Sequence, residues 1–217
     1  DGNYWTYDVN GDTGASRDSL YIANDTVISG KTYKKFKTKD LPTGFYSSSL
    51  NNNGVRKDGN KLLLSGTLEL GANQGLPSNI SISLNDFVIF NPNATEGTTL
   101  ATFSSSFQQT VGTYPLTVNY TLKSKAGSTY TNYNSNGEIY GNVKTTIITL
   151  DMSVTTVLSG FTITVLNNQQ VLNSEQFIAE NIGVIKTNSS FSYNMDATLA
   201  SQIGIPASAS QSQNEII

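Results

Sequence analysis

"PLTVNYTLKSK", residues 115–125, sets Leu116, Val118, Tyr120 and Leu122 on one side of an extended chain and Thr117, Asn119, Thr121 and Lys123 on the other. Successive side chains of a strand point to opposite faces, so this alternation describes a ribbon with one oily and one wet side, a half-buried antiparallel strand. "TTIITLDMSV", residues 145–154, repeats the pattern, with Ile148, Leu150, Met152 and Val154 opposed to Ile147, Thr149, Asp151 and Ser153. "GFTITVL", residues 160–166, does so again, with Phe161, Ile163 and Val165 inward. Only a few residues separate these last two segments, so they are expected to form a hairpin.

Working outward, the same rhythm fills most of the chain. "DSLYIANDTVISGKTYKKFK" reads as strand, turn, strand, punctuated at Asn24-Asp25 and Ser29-Gly30, and "GVRKDGNKLLLSG" as a hairpin turning at Asp58-Gly59-Asn60. In "NISISLNDFVIF" the alternation of Ile80, Ile82 and Leu84 slips phase before Phe87, which predicts a bulge or corner near Asn85. "TLATFSSSFQQTV" alternates weakly, with Phe103 and Phe107 on one parity. The polar, glycine-bearing tract 127–142 reads as a long exposed loop. Only the C-terminal part departs from the rhythm. One short helix is expected between Asp196 and Gly204 and a second after Pro206. The chain is read as a single β domain over residues 1–217, with a minor boundary in the linker 71–79.

Each of the alternating strands is two-faced and no long helix is available to cover a sheet, so the apolar faces must meet each other or enclose something. The expected fold is therefore all-β with one or two short C-terminal helices: a large curved antiparallel sheet forming a half-barrel, or alternatively a two-sheet sandwich.

Composition narrows the chemistry. The 217 residues include no Cys and no His, which removes Ser-His-Asp and Cys-His nucleophilic machinery, Cys or His zinc sites and thiol redox chemistry. Only 13% of residues are charged, against about a quarter in ordinary soluble domains, and Ser, Thr, Asn and Gly fill the difference. That profile suits an extracytoplasmic β protein. A formal net charge of −3 offers no footprint for nucleic acid. The one basic run, "KTYKKFKTK" at 31–39, reads as a solvated face or a lysine-guarded edge. Acids suited to glycoside hydrolysis, Glu138, Asp151, Glu175 and Glu180, are scattered with no pairing spacing, so no enzymatic activity and no cofactor are expected.

"YDVNGDTGASRDSLYI", residues 7–22, places oxygen ligands at Asp8, Asn10 and Asp12 in the spacing of a calcium loop. Counting from Asp8, the glycine comes one position late at Gly14, and Ser19 stands where a bidentate acid belongs. A β-hairpin is the competing reading, with the metal loop as a weak candidate.

A curved sheet lined by Leu, Ile, Met and Phe can take an acyl chain or another apolar ligand, or the same residues can be plain core. The candidate binding residues are Leu116, Val118, Tyr120, Leu122, Ile148, Leu150, Met152, Phe161, Ile163 and Val165. The stretch "AENIGVIKTNSSFSYN", residues 179–194, resembles a segment found late in periplasmic lipoprotein carriers of the LolA/LolB-like group, matched here by Ile182-Gly183-Val184-Ile185-Lys186. Glu180 and Asn181 replace that segment's usual Pro-Gly pair. The run from Asn3 to Phe36 looks like the openings of secreted Bacteroidetes lipoproteins. The resemblance implies a half-barrel around helices or an apolar cleft and an envelope location, in the periplasm or at the cell surface of a Gram-negative bacterium. It also implies a lipid or lipoprotein acyl chain as partner, with membrane association only through a lipid anchor that precedes the chain. The opening "DGNYW", with neither Met nor an apolar leader, is read as a mature exported form. A second functional expectation is a surface module that recognises glycans through exposed aromatics, Trp5, Tyr130, Tyr133 and Tyr140.

Overall fold

A computed structural model describes residues 2–12, 14–71 and 80–217. Twelve strands are described: β1 (Tyr4–Gly11), β2 (Gly14–Ile28), β3 (Lys31–Thr38), β4 (Gly54–Asp58), β5 (Lys61–Leu70), β6 (Ile80–Phe90), β7 (Thr99–Val111), β8 (Tyr114–Ser135), β9 (Glu138–Leu158), β10 (Phe161–Ala179), β11 (Gly183–Asn194) and β12 (Ser208–Ile216). Two short helices accompany them, α1 (Phe45–Leu50) between β3 and β4 and α2 (Ala197–Ile203) between β11 and β12. All twelve strands join one antiparallel sheet in the order β6-β5-β4-β3-β2-β1-β12-β11-β10-β9-β8-β7, curled into a nearly closed, barrel-like half-barrel. One curled sheet takes the place of the two-sheet alternative.

Local chemistry sets the turns. Ser29-Gly30, Asn136-Gly137 and Ser159-Gly160 each carry positive φ at both positions (49° and 77°, 52° and 87°, 50° and 84°). That backbone twist matches the right-handed twist of flanking strands, so each pair closes a two-residue hairpin. The phase slip in β6 is a register shift opposite Leu64 and Gly66, with Asp86 at φ 51°. Its displaced carboxylate accepts from Arg56 at 2.6 Å, Lys31 at 2.5 Å and Tyr33 at 2.6 Å, tying β3, β4 and β6 together on the outer face. The Arg56 guanidinium holds that carboxyl well below the usual range despite partial desolvation.

Three expectations are corrected. The tract 127–142 is no loop: β8 and β9 run on through it, Tyr133 pairing with Tyr140, and the hairpin folds over the outer face of β10. There Tyr130 and Tyr133 stack on Phe177, the latter at 4.8 Å, above Val143, Ala179 and Ile185. No helix follows Pro206; residues 208–216 are β12, which joins the two ends of the chain by pairing with β1 and β11. Asn24-Asp25 is not a turn but lies beside a bulge inside the continuous strand β2. The expected helix between Asp196 and Gly204 is present: Asp196 accepts from the N–H groups of Thr198 and Leu199, and Gly204 ends it in the left-handed conformation. The expected boundary at 71–79 falls, apart from Gly71, outside the described residues.

The sheet's end strands, β6 and β7, do not pair among the described residues. The seam between them is crossed by side chains, the Ser124 hydroxyl donating to Val88 O at 2.5 Å and the Lys144 ammonium to Pro92 O. Inside, Leu84 and Phe87 of β6 face Leu122 of β8 and Ile148 of β9, so this part of the barrel is largely filled.

Candidate functional site

The interior divides into two zones because the inward side chains differ along the sheet. From β8 and β9 they are large and apolar, and they pack solidly. From β10, β11 and β12 they include Ser174, Gln176, Thr187, Ser189, Gln213 and Glu215, all buried and mostly small. That small, polar stripe leaves room for α1 inside the barrel and supplies acceptors for its first turn. A helix start leaves backbone N–H groups without intrahelical partners. Here Phe45 N donates to Gln213 Oε1 at 2.7 Å, Tyr46 N to Glu215 Oε1 at 2.6 Å and Ser47 N to Glu215 Oε2 at 3.0 Å. The Ser47 hydroxyl adds a bond to Glu215 Oε2 at 2.7 Å. Just before the helix, Asp18 of β2 accepts from Gly44 N at 2.7 Å and Thr43 N at 3.1 Å.

Glu215 is fully buried and has no cationic partner among the described residues. Burial raises its carboxyl to about 7, against the opposing pull of the Ser47 hydroxyl and the Tyr46 and Ser47 amides; the nearby Asp18 pushes it further up. Burial also lifts the Tyr7 and Tyr46 phenols above their ordinary range, so both remain neutral. Gly44 is required by this packing, since a methyl group there would overlap the Glu215 carboxylate.

Above α1, at the end of the barrel that holds the β4–β5 and β10–β11 turns, the strands do not fill their own mouth. A pocket of about 270 Å³ opens there, floored by Tyr46 and Leu50 of α1. Its walls are apolar: Trp5, Ile22, Phe36, Val55, Leu62, Ile89 and Ile178, brought together from β1 to β6 and β10. Trp5 and Phe36 stack with ring centroids 6.0 Å apart, and the indole N–H is spent on Ile182 O at 2.8 Å, leaving an oily ring face to the cavity. Gln176 is the one amide side chain in the lining and lies 93% buried, while Lys34, Arg56 and Lys57 also line the pocket.

The sequence-derived candidates sit elsewhere. Leu116, Val118, Tyr120, Leu122, Ile148, Leu150, Met152 and Val165 all face inward, each 8% exposed or less, in the packed part of the core. The voids beside them, one touching Leu116, Val118, Met152 and Val165 and another touching Leu122 and Ile148, are about 30 Å³ each. Ile163 is half-buried, and Phe161 points to solvent, 74% exposed, beside the Ser159-Gly160 turn. Of the aromatics weighed for glycans, Trp5 lines the pocket, and Tyr130 and Tyr133 spend their faces on Phe177, with Tyr140 packed against the same cluster. Asp8 pairs with Arg17 at 2.7 Å, and Asp12 accepts from Ser212 N at 2.6 Å, so the three residues 8, 10 and 12 stand on a β-hairpin with two of their oxygens engaged. No cluster of metal-ligating side chains occurs among the described residues. The pocket's own residues carried one signal in the sequence, the apolar parity Leu20, Ile22 and then Phe36 across a hairpin, but α1 and the juxtaposition of β1 with β10 carried none.

Compared with protein-family models, curated proteins and solved structures, the chain finds no match. The site is therefore read from its own geometry.

Proposed function

We propose that this protein is a non-enzymatic binding protein of the bacterial envelope that holds a lipid-like or other apolar ligand in the mouth of the barrel. The carrying observation is the pocket itself, an open cavity of about 270 Å³ walled by Trp5, Ile22, Phe36, Leu62 and Ile178 and floored by α1. Apolar surface left open to water at a concave site is what a ligand of matching chemistry removes from solvent, worth roughly 25 cal/mol for each Å² covered. The floor supports the same reading: α1 is fastened by three buried acceptors, Asp18, Gln213 and Glu215, which hold it below the mouth and keep the cavity from collapsing. The envelope setting rests on composition, low in charge and rich in Ser, Thr, Asn and Gly.

Trp5 is the chain's single tryptophan and lines the pocket, so its emission reports occupancy directly. Titration with dodecanol below its solubility limit is expected to shift Trp5 emission saturably. In Ile22→Phe, which fills part of the cavity, the shift should weaken at least several-fold while the fold is kept. An emission unaffected by straight-chain amphiphiles of eight to fourteen carbons, with no co-purifying apolar molecule in native mass spectra, would remove the proposal.

A further inference from the structure

The pocket is oily inside and charged at its rim, and the signs of its two ends differ. Beneath the floor lie the acids that fasten α1, Glu215 and Asp18. At the rim stand Lys34, Arg56 and Lys57. Arg56 is committed to Asp86 through two bonds of 2.6 and 3.0 Å, and Lys34 is paired with Asp25 at 2.5 Å. Lys57 is exposed and makes no ion pair or side-chain hydrogen bond among the described residues. The register fixes where it points: Lys57 pairs with Leu62 and stands two positions from Val55, so its stem lies along the pocket wall on the cavity side of β4. A lysine placed this way covers apolar surface with its methylenes and holds its ammonium at the water boundary.

Resting on the apolar-ligand reading above, we infer that the pocket takes a single-chain, singly charged anionic amphiphile, a medium-chain carboxylate, bound tail inward with its head at Lys57. Three observations carry this. One rim cation is uncommitted, which complements one negative charge. The cavity, about 270 Å³, falls just below the roughly 300–1,000 Å³ of ordinary small-molecule sites, which suits one chain and not a two-chain lipid. The opposite orientation would push a carboxylate toward Gln176, which lies in one cross-strand row with Thr187 and Glu215, bringing like charges together in a desolvated interior. Gln176 instead remains a neutral amide beside the buried end of the tail.

The test compares dodecanoate with methyl dodecanoate and dodecanol at pH 8, all below their aggregation limits, by Trp5 emission in the intact protein. Dodecanoate should bind about two- to fivefold tighter than either neutral analogue, the range of an exposed ion pair, and the preference should shrink with added salt. In Lys57→Gln the ratio of dodecanoate to neutral-analogue affinity should fall to near one, whereas Gln176→Leu should keep it. Equal binding of acid, ester and alcohol by the wild type overturns the inference and leaves the apolar pocket standing. A preference that survives Lys57→Gln but disappears in Gln176→Leu places the head inside and also overturns it. Failure of all three ligands to move Trp5 removes the apolar reading, and the inference with it.

Discussion

Replacing Glu215 by Gln and following stability against pH probes the fastening of α1. In the folded protein the Glu215 carboxyl lies near 7 instead of the ordinary 4.5 because it is fully buried. Between those values the folded chain holds a proton that the unfolded chain has released, so stability must fall as pH rises through the window and level off above it. At about 1.4 kcal/mol per pH unit the whole effect is about 3 kcal/mol, most of which falls between pH 5 and 8.5. The chain has no histidine, so no other side chain ordinarily titrates there, and the part of the slope that Glu215→Gln removes belongs to this one group. Urea unfolding monitored by Trp5 emission at half-unit pH steps measures it. Glu215→Gln should flatten the profile. It should also cost about 1–3 kcal/mol at pH 5, because an amide NH₂, which cannot accept, then faces the Ser47 N–H that a carboxyl oxygen had satisfied. A wild-type profile that is level or rises from pH 5 to 8.5, or a slope that persists in Glu215→Gln, would refute the argument.

Further outcomes are expected. Gly44→Ala should destabilise by about 1–3 kcal/mol in urea, since the added methyl meets the immobile Glu215 side chain and not a surface group that can swing aside. Phe177→Ala should cost about 3 kcal/mol and, by removing the ring on which Tyr130 and Tyr133 stack, should expose the 127–142 hairpin to limited proteolysis ahead of global unfolding. Thermal melts in added calcium and in chelator should coincide, because a folded-state ligand must raise stability and the oxygens of Asp8 and Asp12 are already engaged by Arg17 and Ser212.

The parts of this fold legible in the sequence are those where burial is one-sided and apolar. β8 and β9 alternate cleanly because their inner faces build the packed half of the barrel. β12 was hidden for the opposite reason: its inward positions are Gln213 and Glu215, chosen to cap a helix, so polar residues occupy both faces and no apolar parity marks a strand. The 127–142 tract looked like a loop because its aromatics pack outward onto Phe177 instead of inward, although Asn136-Gly137 was a usable hairpin signal. α1 spans six residues, too short for a helical period to register, and the acceptors of its first-turn N–H groups come from β12, more than 160 residues away. The same distance explains the site. A pattern of two-faced strands reveals inward residues but not which of them the barrel fails to cover, and that depends on β1, β4 and β10 meeting above α1.

The account stands on where a bound chain lies. Intermolecular NOEs from dodecanoate to the methyl groups of isotope-labelled protein measure this directly. Contacts to Ile22, Leu50, Val55 and Ile178, with none to Leu150 or Met152, are the predicted result. Contacts to Leu150 and Met152 without Ile22 or Leu50, or to the outer-face tyrosines alone, would contradict it.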